Sequence, residues 1–259
     1  MTPPDAAAAA RDQTGAAAAA RIEAGMRLGI GTGRAVAAFL RALQPRIAAG
    51  LRIEGVATSI ASAQLAREAG VTLLGHGWTG PLDLDVDGTD ELGPRLACLK
   101  GGGGALLREK VVARASRRFW VIAEAGKRVD RLGTTRALPV EVLPFGWAAT
   151  AQHLARLGAE VVRRGHPRPL RTDNGNFILD CAFPDGLADP EPLAAALDQT
   201  PGVLGHGLFL QLATAAFLSD GRTVELVGDP QAQRWPGGAL SRGGPEAGCA
   251  PGGYGPASS

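Results

Sequence analysis

An alternation of short apolar segments and helical segments, from Met26 to Ala123, is the feature that most constrains how this chain can fold. Met26 to Gly31 is the first apolar run, and its position before a glycine turn indicates a strand. The segment after it carries apolar residues at helical spacing, namely Val36, Phe39, Leu40 and Leu43. Further strands are indicated at Leu51 to Ala57, Val71 to Leu74, Leu82 to Val86 and Phe119 to Ala123. Parallel strands need crossover helices, so the pattern predicts a mostly parallel sheet with helices on both faces.

The order changes after about Leu138 to strand, helix, strand, strand and helix, followed by an apolar strand near 203–210. This order is typical of a small split βαβ unit. We therefore predict an α/β fold with a doubly wound, mostly parallel, Rossmann-like sheet and a smaller inserted α+β domain of the ferredoxin-like type. The predicted boundaries are 1–133 and 207–228 for the main domain and 134–206 for the small domain. The segment 229–259 is rich in glycine and proline and is predicted to be a disordered tail.

Composition and charge exclude several classes of protein. The formal net charge is +2, and the basic residues are scattered among acidic ones, so no basic stripe indicates nucleic-acid binding. The alanine-rich opening is broken by Arg11, Asp12 and Gly15, which predicts a helix rather than a signal peptide or a membrane span. The three cysteines are far apart, and the four histidines share no metal-ligand spacing. We expect a cytoplasmic protein with no metal, no cofactor, and no nucleic-acid or membrane partner.

The strongest functional signal is a pair of segments, Asp85 to Glu91 and Lys100 to Lys110, at predicted strand-to-helix turns. The second segment contains the consecutive glycines Gly101, Gly102, Gly103 and Gly104. Such a run favours neither a strand nor a helix, but it allows backbone N–H groups to approach a ligand closely. The helix that follows has a partly positive N-terminus, which stabilises an anion such as an enediolate oxygen.

These two segments supply the groups that an aldose–ketose isomerase needs. Glu109, about one turn inside the predicted helix, is the candidate base that moves a proton between adjacent carbons. Asp87 and Asp90 are the candidates for handling protons on the flanking oxygens, and Lys100 with the glycine amides is the candidate for stabilising the oxyanion. A solvated acidic loop and surface lysines are the alternative interpretation, and the adjacent glycine run favours the site.

The same segments resemble those of type A ribose-5-phosphate isomerases. The resemblance continues in the same order through Ala123 to Gly133, Leu138 to Val142 and Thr172 to Asn176, and it covers roughly Gly25 to Val227. It implies interconversion of ribose 5-phosphate and ribulose 5-phosphate through an enediolate, without metal or cofactor, in the non-oxidative branch of the pentose phosphate pathway. It also implies a homodimer or dimer of dimers. The implied catalytic cluster is Asp87, Asp90, Lys100 and Glu109, with the glutamate as base and Lys127 close to the site.

The first phosphate-binding loop departs from the family pattern. Relatives usually have Gly-Thr-Gly-Ser-Thr there, whereas this chain has Gly31-Thr32-Gly33-Arg34-Ala35 and lacks two hydroxyl groups. Arg34 begins a predicted helix, and its guanidinium could take over phosphate binding; a solvent-exposed arginine is the alternative. The second loop, Thr58 to Ser62, keeps hydroxyl groups. The predicted substrate-binding residues are Thr32, Gly33, Arg34, Thr58, Ser59, Gly101, Gly102, Gly103, Gly104 and Lys127, and Arg11 lies near a position where relatives carry a basic residue.

Other functions fit parts of the sequence. Gly29 to Gly33 follows a strand like a dinucleotide fingerprint, but its third glycine comes one residue too early for G-x-G-x-x-G. A second alternative is a non-enzymatic sugar-phosphate sensor of the deoxyribose-operon type, but the N-terminal segment is too short and alanine-rich for the expected helix-turn-helix. A weakened paralogue, suggested by the lost hydroxyl groups, is the third. An assay of ribose 5-phosphate turnover without added metal separates these functions.

Overall fold

The structure, a computed structural model, describes residues 3–234. Its α-helices are α1 (Pro3–Ala19), α2 (Arg34–Ala48), α3 (Ile60–Glu68), α4 (Leu106–Ala115), α5 (Trp147–Arg156) and α6 (Pro190–Asp198). Its strands are β1 (Arg27–Ile30), β2 (Glu54–Ala57), β3 (Thr72–Leu73), β4 (Leu84–Asp87), β5 (Glu91–Leu92), β6 (Cys98–Leu99), β7 (Phe119–Glu124), β8 (Leu138–Val142), β9 (Glu160–Arg163), β10 (Phe177–Ala182), β11 (Val203–His206), β12 (Leu208–Phe209), β13 (Ala215–Ser219) and β14 (Val224–Gly228).

The main sheet contains seven strands in the order β14-β13-β7-β4-β1-β2-β3. Neighbouring strands are parallel except β13 and β14. Residues 119–123 of the inner strand β7 are apolar and buried because helices cover both faces of the sheet. Trp120 and Ile122 pack in one core with residues of α1 and α2, whereas Val121 packs in another with Ala113 of α4. The predicted doubly wound, mostly parallel sheet is confirmed.

The alanine-rich N-terminal segment forms the predicted helix, α1, which packs against α2 and the main sheet. The contact between α1 and α2 is close at Gly15, where a Cβ atom would lie only 2.7 Å from the backbone nitrogen of Phe39. A side chain at residue 15 would therefore force the two helices apart. The packing places Arg11 beside the carboxyl end of β7, where it contacts Glu124. Among residues 3–234, no helix combines the length and the apolar character needed to cross a bilayer.

A separate antiparallel sheet, in the order β11-β8-β10-β9, contains the strands between residues 138 and 206. Helix α5 packs against β9 and β10, and α6 packs against β11. Val140, Leu154 and Leu179 are buried together in the core of this layer. The smaller α+β unit predicted from the sequence is therefore present in the fold, while the exact domain boundaries at 134 and 206 stay a prediction.

The last strand predicted for this region, near 203–210, is divided between two sheets. β11 pairs with β8, whereas β12 pairs with β6 in a small antiparallel sheet of order β12-β6-β5. Gly207 separates them, because its N–H donates to Pro139 O (2.8 Å) and its carbonyl accepts from Lys100 N (2.8 Å). A Cβ atom on Gly207 would lie 2.2 Å from Lys100 O, which excludes a side chain. The prediction of one continuous strand is wrong because these contacts come from distant segments.

The predicted tail, 229–259, lies outside the described residues from residue 235 onward. Its first part, 229–234, is bonded to the main domain. Trp120 Nε1 donates to Pro230 O (3.1 Å), and Arg234 N donates to Arg117 O (3.0 Å). The Arg234 guanidinium also donates to the carbonyl groups of Ala113 and Ser116. The predicted start of the tail is too early, because composition does not reveal these bonds to backbone carbonyls.

Candidate active site

The candidate site lies at the carboxyl ends of β1, β4 and β7, the edge of the sheet where ligands are expected. A cavity of about 270 Å³ lies between these strand ends and the glycine loop before α4. The predicted residues that line it are Thr32, Gly33, Arg34, Asp90, Lys100, Gly101, Gly102, Gly103, Glu109 and Lys127. Ser59 and Gly104 line a smaller adjoining cavity of about 160 Å³. Asp87 does not line either cavity, because it is fully buried behind Lys100. The structure therefore brings most of the predicted site residues to one place.

Lys100 occupies the centre of the site, between two carboxylates. Its Nζ lies 2.9 Å from Asp87 Oδ2 and 3.3 Å from Glu109 Oε2, and it donates to Gly88 O at 2.5 Å. Asp87 ends β4, Lys100 follows β6, and Glu109 lies in the first turn of α4, so three elements converge. Burial alone would lower the pKa of Lys100, but Asp87 and Glu109 raise it above its ordinary value. The two carboxylates therefore favour the charged form of a lysine that is shielded from solvent.

Glu109 has the properties of a general base. Its side chain is 5% exposed and lines the cavity, and its Oε2 is held by the ion pair with Lys100. Burial and the charge of Asp87 raise the pKa of Glu109 to about 8, although Lys100 opposes the shift. A base whose pKa lies near the working pH combines a useful ionised fraction with a strong driving force for proton abstraction.

Asp87 joins the first loop to Lys100. Its Oδ1 accepts from Thr32 N at 3.1 Å and from Gly88 N at 2.7 Å, while its Oδ2 faces Lys100. Burial raises the pKa of Asp87, and Lys100 with these N–H donors acts in the opposite direction. A Cβ atom on Gly31 would lie 2.0 Å from Asp87 Cγ, so the loop passes Asp87 closely only because residue 31 is glycine.

Two of the glycine amides in the loop before α4 are engaged within the protein. Gly102 N–H donates to Asp90 Oδ2 (2.7 Å), and Gly104 N–H donates to Gly101 O (3.0 Å). The amides of Gly101 and Gly103 have no acceptor among residues 3–234. A Cβ atom on Gly102 would lie 2.7 Å from Asp90 Oδ1. Of the four amides predicted to stabilise the oxyanion, only those of Gly101 and Gly103 are therefore unpaired within residues 3–234, while Asp90 accepts from the loop at Gly102.

Thr58 and Ser59 shape the loops around Thr32. Thr58 is fully buried, and its Oγ1 donates to Ile30 O (3.2 Å) and lies 2.8 Å from Thr32 Oγ1. Ser59 caps α3 by accepting from Ser62 N (3.0 Å), and its Oγ also accepts from Thr32 Oγ1 (2.9 Å). Thr58 thus lies behind Thr32 and outside the cavity. The structure therefore does not bring Thr58 to the cavity with the other predicted substrate-binding residues, and its side chain contacts Thr32 instead.

Cationic side chains form one side of the cavity. Arg11 Nη1 lies 2.7 Å from Glu124 Oε1, and Lys127 Nζ lies 3.3 Å from Glu124 Oε2 and donates to Thr89 O at 2.5 Å. Burial alone would raise the pKa of Glu124, but Lys127 and Arg11 lower it. Arg11 and Glu124 were not among the predicted site residues. For Arg11, the sequence signal was its place near a position where relatives carry a basic residue. Its contact with Glu124 depends on how α1 packs on the sheet.

Arg34 adds a further cation at the mouth of the cavity. It is the first residue of α2 and is exposed to solvent. Within residues 3–234, no hydrogen bond or ion pair holds its guanidinium, in contrast to Arg11 and Lys127. The N-terminus of α2 carries a partial positive charge and no acidic residue in its first turn. Arg34 and the helix end therefore present unneutralised positive charge to the cavity.

Comparison with known proteins identifies the family. A family model described as ribose 5-phosphate isomerase A (phosphoriboisomerase A) matches residues 54–222. A ribose-5-phosphate isomerase A from Roseiflexus castenholzii is 46% identical over 217 residues, which cover 82% of this chain and 92% of the relative. The chain belongs to the ribose 5-phosphate isomerase A family. A second relative of that name, from Parvibaculum lavamentivorans, is 45% identical and covers 84% of this chain and 98% of its own length.

Solved structures agree with the family assignment. A ribose 5-phosphate isomerase from Plasmodium falciparum superposes with a TM-score of 0.82 at 29% identity, covering 86% of this chain and 99% of its own. A D-ribose-5-phosphate isomerase in complex with phospho-erythronic acid has a TM-score of 0.82 at 31% identity, covering 88% of this chain and 100% of its own. The predicted family is confirmed. The chain is an aldose–ketose isomerase of ribose 5-phosphate and ribulose 5-phosphate.

Asp85 carries a further buried carboxyl group next to the cluster of Asp87, Lys100 and Glu109. It lies two residues before Asp87 on the same face of β4 and is 0% exposed. Its Oδ1 is 2.6 Å from where a Cβ atom on Gly29 would lie. Neither carboxyl oxygen has a hydrogen-bond partner in the described part of the chain. Burial and Asp87 raise the pKa of Asp85 well above its ordinary value, with Lys100 acting against them.

We expect Asp85 to make unfolding depend on pH. The unfolded side chain ionises near pH 3.9, whereas the folded side chain keeps its proton to a higher pH. The folded state therefore binds more protons, and its stability falls as pH rises above the unfolded pKa by up to about 1.4 kcal/mol per pH unit. Urea unfolding of Asp85→Asn, which cannot ionise, should show the wild type losing stability relative to the variant between acidic and neutral pH. If the difference in free energy of unfolding between the wild type and Asp85→Asn stayed constant across that range, the pKa of Asp85 would not be raised.

Proposed function

We propose that Glu109 interconverts the two pentose phosphates by moving a proton between C1 and C2 of the open-chain sugar, through an enediolate. The observation that carries this proposal is the position of Lys100 Nζ between Glu109 Oε2 (3.3 Å) and Asp87 Oδ2 (2.9 Å) beside the cavity. A carboxylate that lines the cavity and a desolvated ammonium group beside it are the base and the electrostatic partner that the reaction requires.

The other groups fit the remaining steps. Lys100 and the N–H groups of Gly101 and Gly103 stabilise the negative charge that develops on the sugar oxygen, because fixed donors in a buried site need no reorganisation. Asp90 lines the cavity and handles the hydroxyl proton of the flanking carbon. Asp87 holds Lys100 and Thr32 in place. In this assignment, Asp87 positions Lys100 and Thr32, and Glu109 transfers the proton between C1 and C2.

The cationic side of the cavity is assigned to the substrate phosphate. Arg11, Arg34 and Lys127 line the same cavity as Glu109, and Arg34 is at a helix N-terminus. The ligand of the solved relative, phospho-erythronic acid, is an acid that carries a phosphate. A carboxylate resembles the enediolate in shape and charge, so such a ligand supports a site with an oxyanion end and a phosphate end.

Turnover of ribose 5-phosphate by the chelated protein, without added metal, tests the function. We expect full activity, since Lys100 supplies the positive charge, and since no group of three or more potential His, Cys, Asp or Glu ligands comes together within residues 3–234. Binding of ribose 5-phosphate without turnover would instead favour a sensor or an inactive paralogue. Activity that returns only with a divalent metal would contradict the assignment to Lys100.

Replacing Arg34 by alanine should raise KM for ribose 5-phosphate by about 10- to 150-fold, the equivalent of ~1.5–3 kcal/mol for one charged hydrogen bond. The effect on kcat should be smaller because Arg34 is assigned to the phosphate, which is bound in the ground state and in the transition state alike. Arg41→Ala is the matched control, since Arg41 is an exposed arginine of the same helix that contacts Asp12. An unchanged KM in Arg34→Ala would assign the phosphate to Thr32, Arg11, Lys127 and backbone amides, and Arg34→Ser with Ala35→Thr should then tighten binding.

We also propose that the chain forms a homodimer or a dimer of dimers in the cytoplasm. Large apolar side chains support self-association, since Phe145 is 87% and Val162 66% exposed. Cys98 and Cys181 are free and buried, as expected in a reducing compartment, and burial raises the pKa of each thiol to about 12. Light scattering during gel filtration would measure the assembly, and a monomer at micromolar concentration would contradict it.

A further inference from the structure

The glycine loop before α4 is contacted from outside the main sheet by the side chain of Arg164. Its Nη1 donates to Gly101 O (2.8 Å) and to Gly102 O (3.2 Å). Arg164 directly follows β9, in the antiparallel sheet of the smaller unit, whereas the loop lines the active-site cavity. Within residues 3–234, Gly102 O receives no other hydrogen bond. The orientation of this carbonyl group therefore depends on a contact from the second sheet of the fold.

Arg164 is itself held in place by its side chain and by its backbone. Its Nε donates to Asp180 Oδ2 (2.9 Å) and its Nη2 to Asp180 Oδ1 (2.5 Å), the bidentate arrangement that a planar guanidinium forms with a carboxylate. The backbone N–H of Arg164 donates to Ile178 O (2.8 Å), and its carbonyl accepts from Leu170 N (3.0 Å). The side chain is only 19% exposed. Nη1 is therefore a fixed donor that points to the loop.

The two carbonyl contacts determine the direction of two N–H groups. In a trans peptide, the C=O of one residue and the N–H of the next point in opposite directions, and the peptide bonds after Gly101 and Gly102 are trans. Gly101 O faces Arg164, so Gly102 N–H points away from the guanidinium. This N–H donates to Asp90 Oδ2 (2.7 Å). Gly102 O also faces Arg164, so Gly103 N–H points to the side on which Asp90 lines the cavity.

A run of four glycines does not fix these directions by itself. Glycine has more backbone freedom than any other residue, so the peptide planes of the loop rotate at little cost unless a contact holds them. Gly101 has a φ of +108°, which other residues rarely adopt. A Cβ atom there would lie 2.8 Å from Leu106 Cδ2, so a stiffer residue is excluded by packing as well. The rigidity that preorganised donors require must therefore come from outside the loop.

We propose that Arg164 is a positioning residue that holds Gly103 N–H toward the oxyanion of the reacting sugar. The inference rests on the function proposed above, in which this N–H stabilises the developing negative charge. Arg164 does not line the cavity and acts through the loop. Preorganised donors act mainly on charge that develops in the transition state. Loss of Arg164 should therefore weaken the binding of an oxyanion much more than the binding of a neutral sugar phosphate.

Two ligands that differ only at this end test the proposal on the full chain. Phospho-erythronic acid carries a carboxylate, and erythritol 4-phosphate has a neutral hydroxyl group in its place. Calorimetry measures the affinity of each ligand for the wild type and for Arg164→Met. Removing an oxyanion donor outright costs about 10²- to 10³-fold in kcat, so a misdirected donor should weaken the acid by ~10-fold or more and the alcohol by less than ~3-fold. The kcat for ribose 5-phosphate should fall by at least ~10-fold, with a smaller change in KM.

Arg163→Met is the matched control. The Arg163 guanidinium lies 4.4 Å from the centroid of the Trp147 ring and makes no contact with the loop, so the variant should keep the wild-type ratio of the two affinities. Asp180→Asn is a second variant, which retains Arg164 but weakens its anchor. It should reduce the preference for the acid in the same direction, and it decides the question if Arg164→Met does not fold.

The outcomes distinguish this inference from the proposed function. A wild type that prefers the acid, with the preference unchanged in Arg164→Met and Asp180→Asn, would overturn the role of Arg164 alone. Equal weakening of both ligands in these variants would also overturn it, since that result indicates a merely structural contact. A wild type that binds the two ligands equally would overturn the oxyanion end of the proposed site, and the role of Arg164 with it.

Discussion

Replacing Glu109 by glutamine should lower kcat by about 10²- to 10⁴-fold, the usual contribution of a positioned base. The amide keeps the shape of the side chain but cannot accept the proton, so KM should change little. A coupled assay of ribose 5-phosphate turnover measures both constants. Glu54→Gln is the control, since the Glu54 side chain is 50% exposed and does not line the cavity. More than about a tenth of the wild-type kcat in Glu109→Gln would mean that another group is the base.

The pH profile of the wild type provides an independent view of the same group. A base acts in its ionised form, and burial with the charge of Asp87 raises the pKa of Glu109 to about 8. The value of kcat/KM should therefore rise with pH and level off above that pKa. A profile that is already flat from pH 5 would show that Glu109 ionises normally.

Replacing Lys100 by methionine should destabilise the fold by about 3–5 kcal/mol, the typical cost of removing one partner of a buried ion pair. The change leaves two carboxylates, Asp87 and Glu109, without their shared cation in a buried site. Urea unfolding at neutral pH measures the loss. It should shrink on acidification, because protonation removes the uncompensated charges. Lys127→Met is the control, since the Lys127 side chain is 31% exposed. If Lys100→Met lost no more free energy of unfolding than this control, the ion pairs of Lys100 with Asp87 and Glu109 would not be central to the site.

The main features of the fold could be predicted from local patterns. The alternation of strand and helix before residue 124 and the changed order after residue 138 depend on short-range periodicity, and both reappear in the sheets. The division of the strand at Gly207 could not be predicted. It results from bonds to Lys100 and Pro139, which lie far away in the sequence.

The candidate site shows the same limit. Lys100 and Glu109 are close in sequence within one motif, and both line the cavity, as predicted. Arg11 comes from a helix more than a hundred residues away from Glu124, and only the docking of α1 on the sheet brings them together. The hydroxyl-rich loop predicts Thr58 as a substrate-binding residue. The residue is fully buried beside Thr32, and this placement results from packing that the loop sequence does not reveal.

The central claim is that a proton, removed and returned by Glu109, connects the two sugars through an enediolate. The most direct measurement is isomerisation of ribose 5-phosphate in D₂O, with NMR of the ribulose 5-phosphate formed at early times. Glu109 lines a cavity that admits solvent, so the abstracted proton can exchange before its return. We predict solvent deuterium at C1 of the product. Complete retention of the substrate hydrogen at C1, as in a hydride shift between the carbons, would contradict the account.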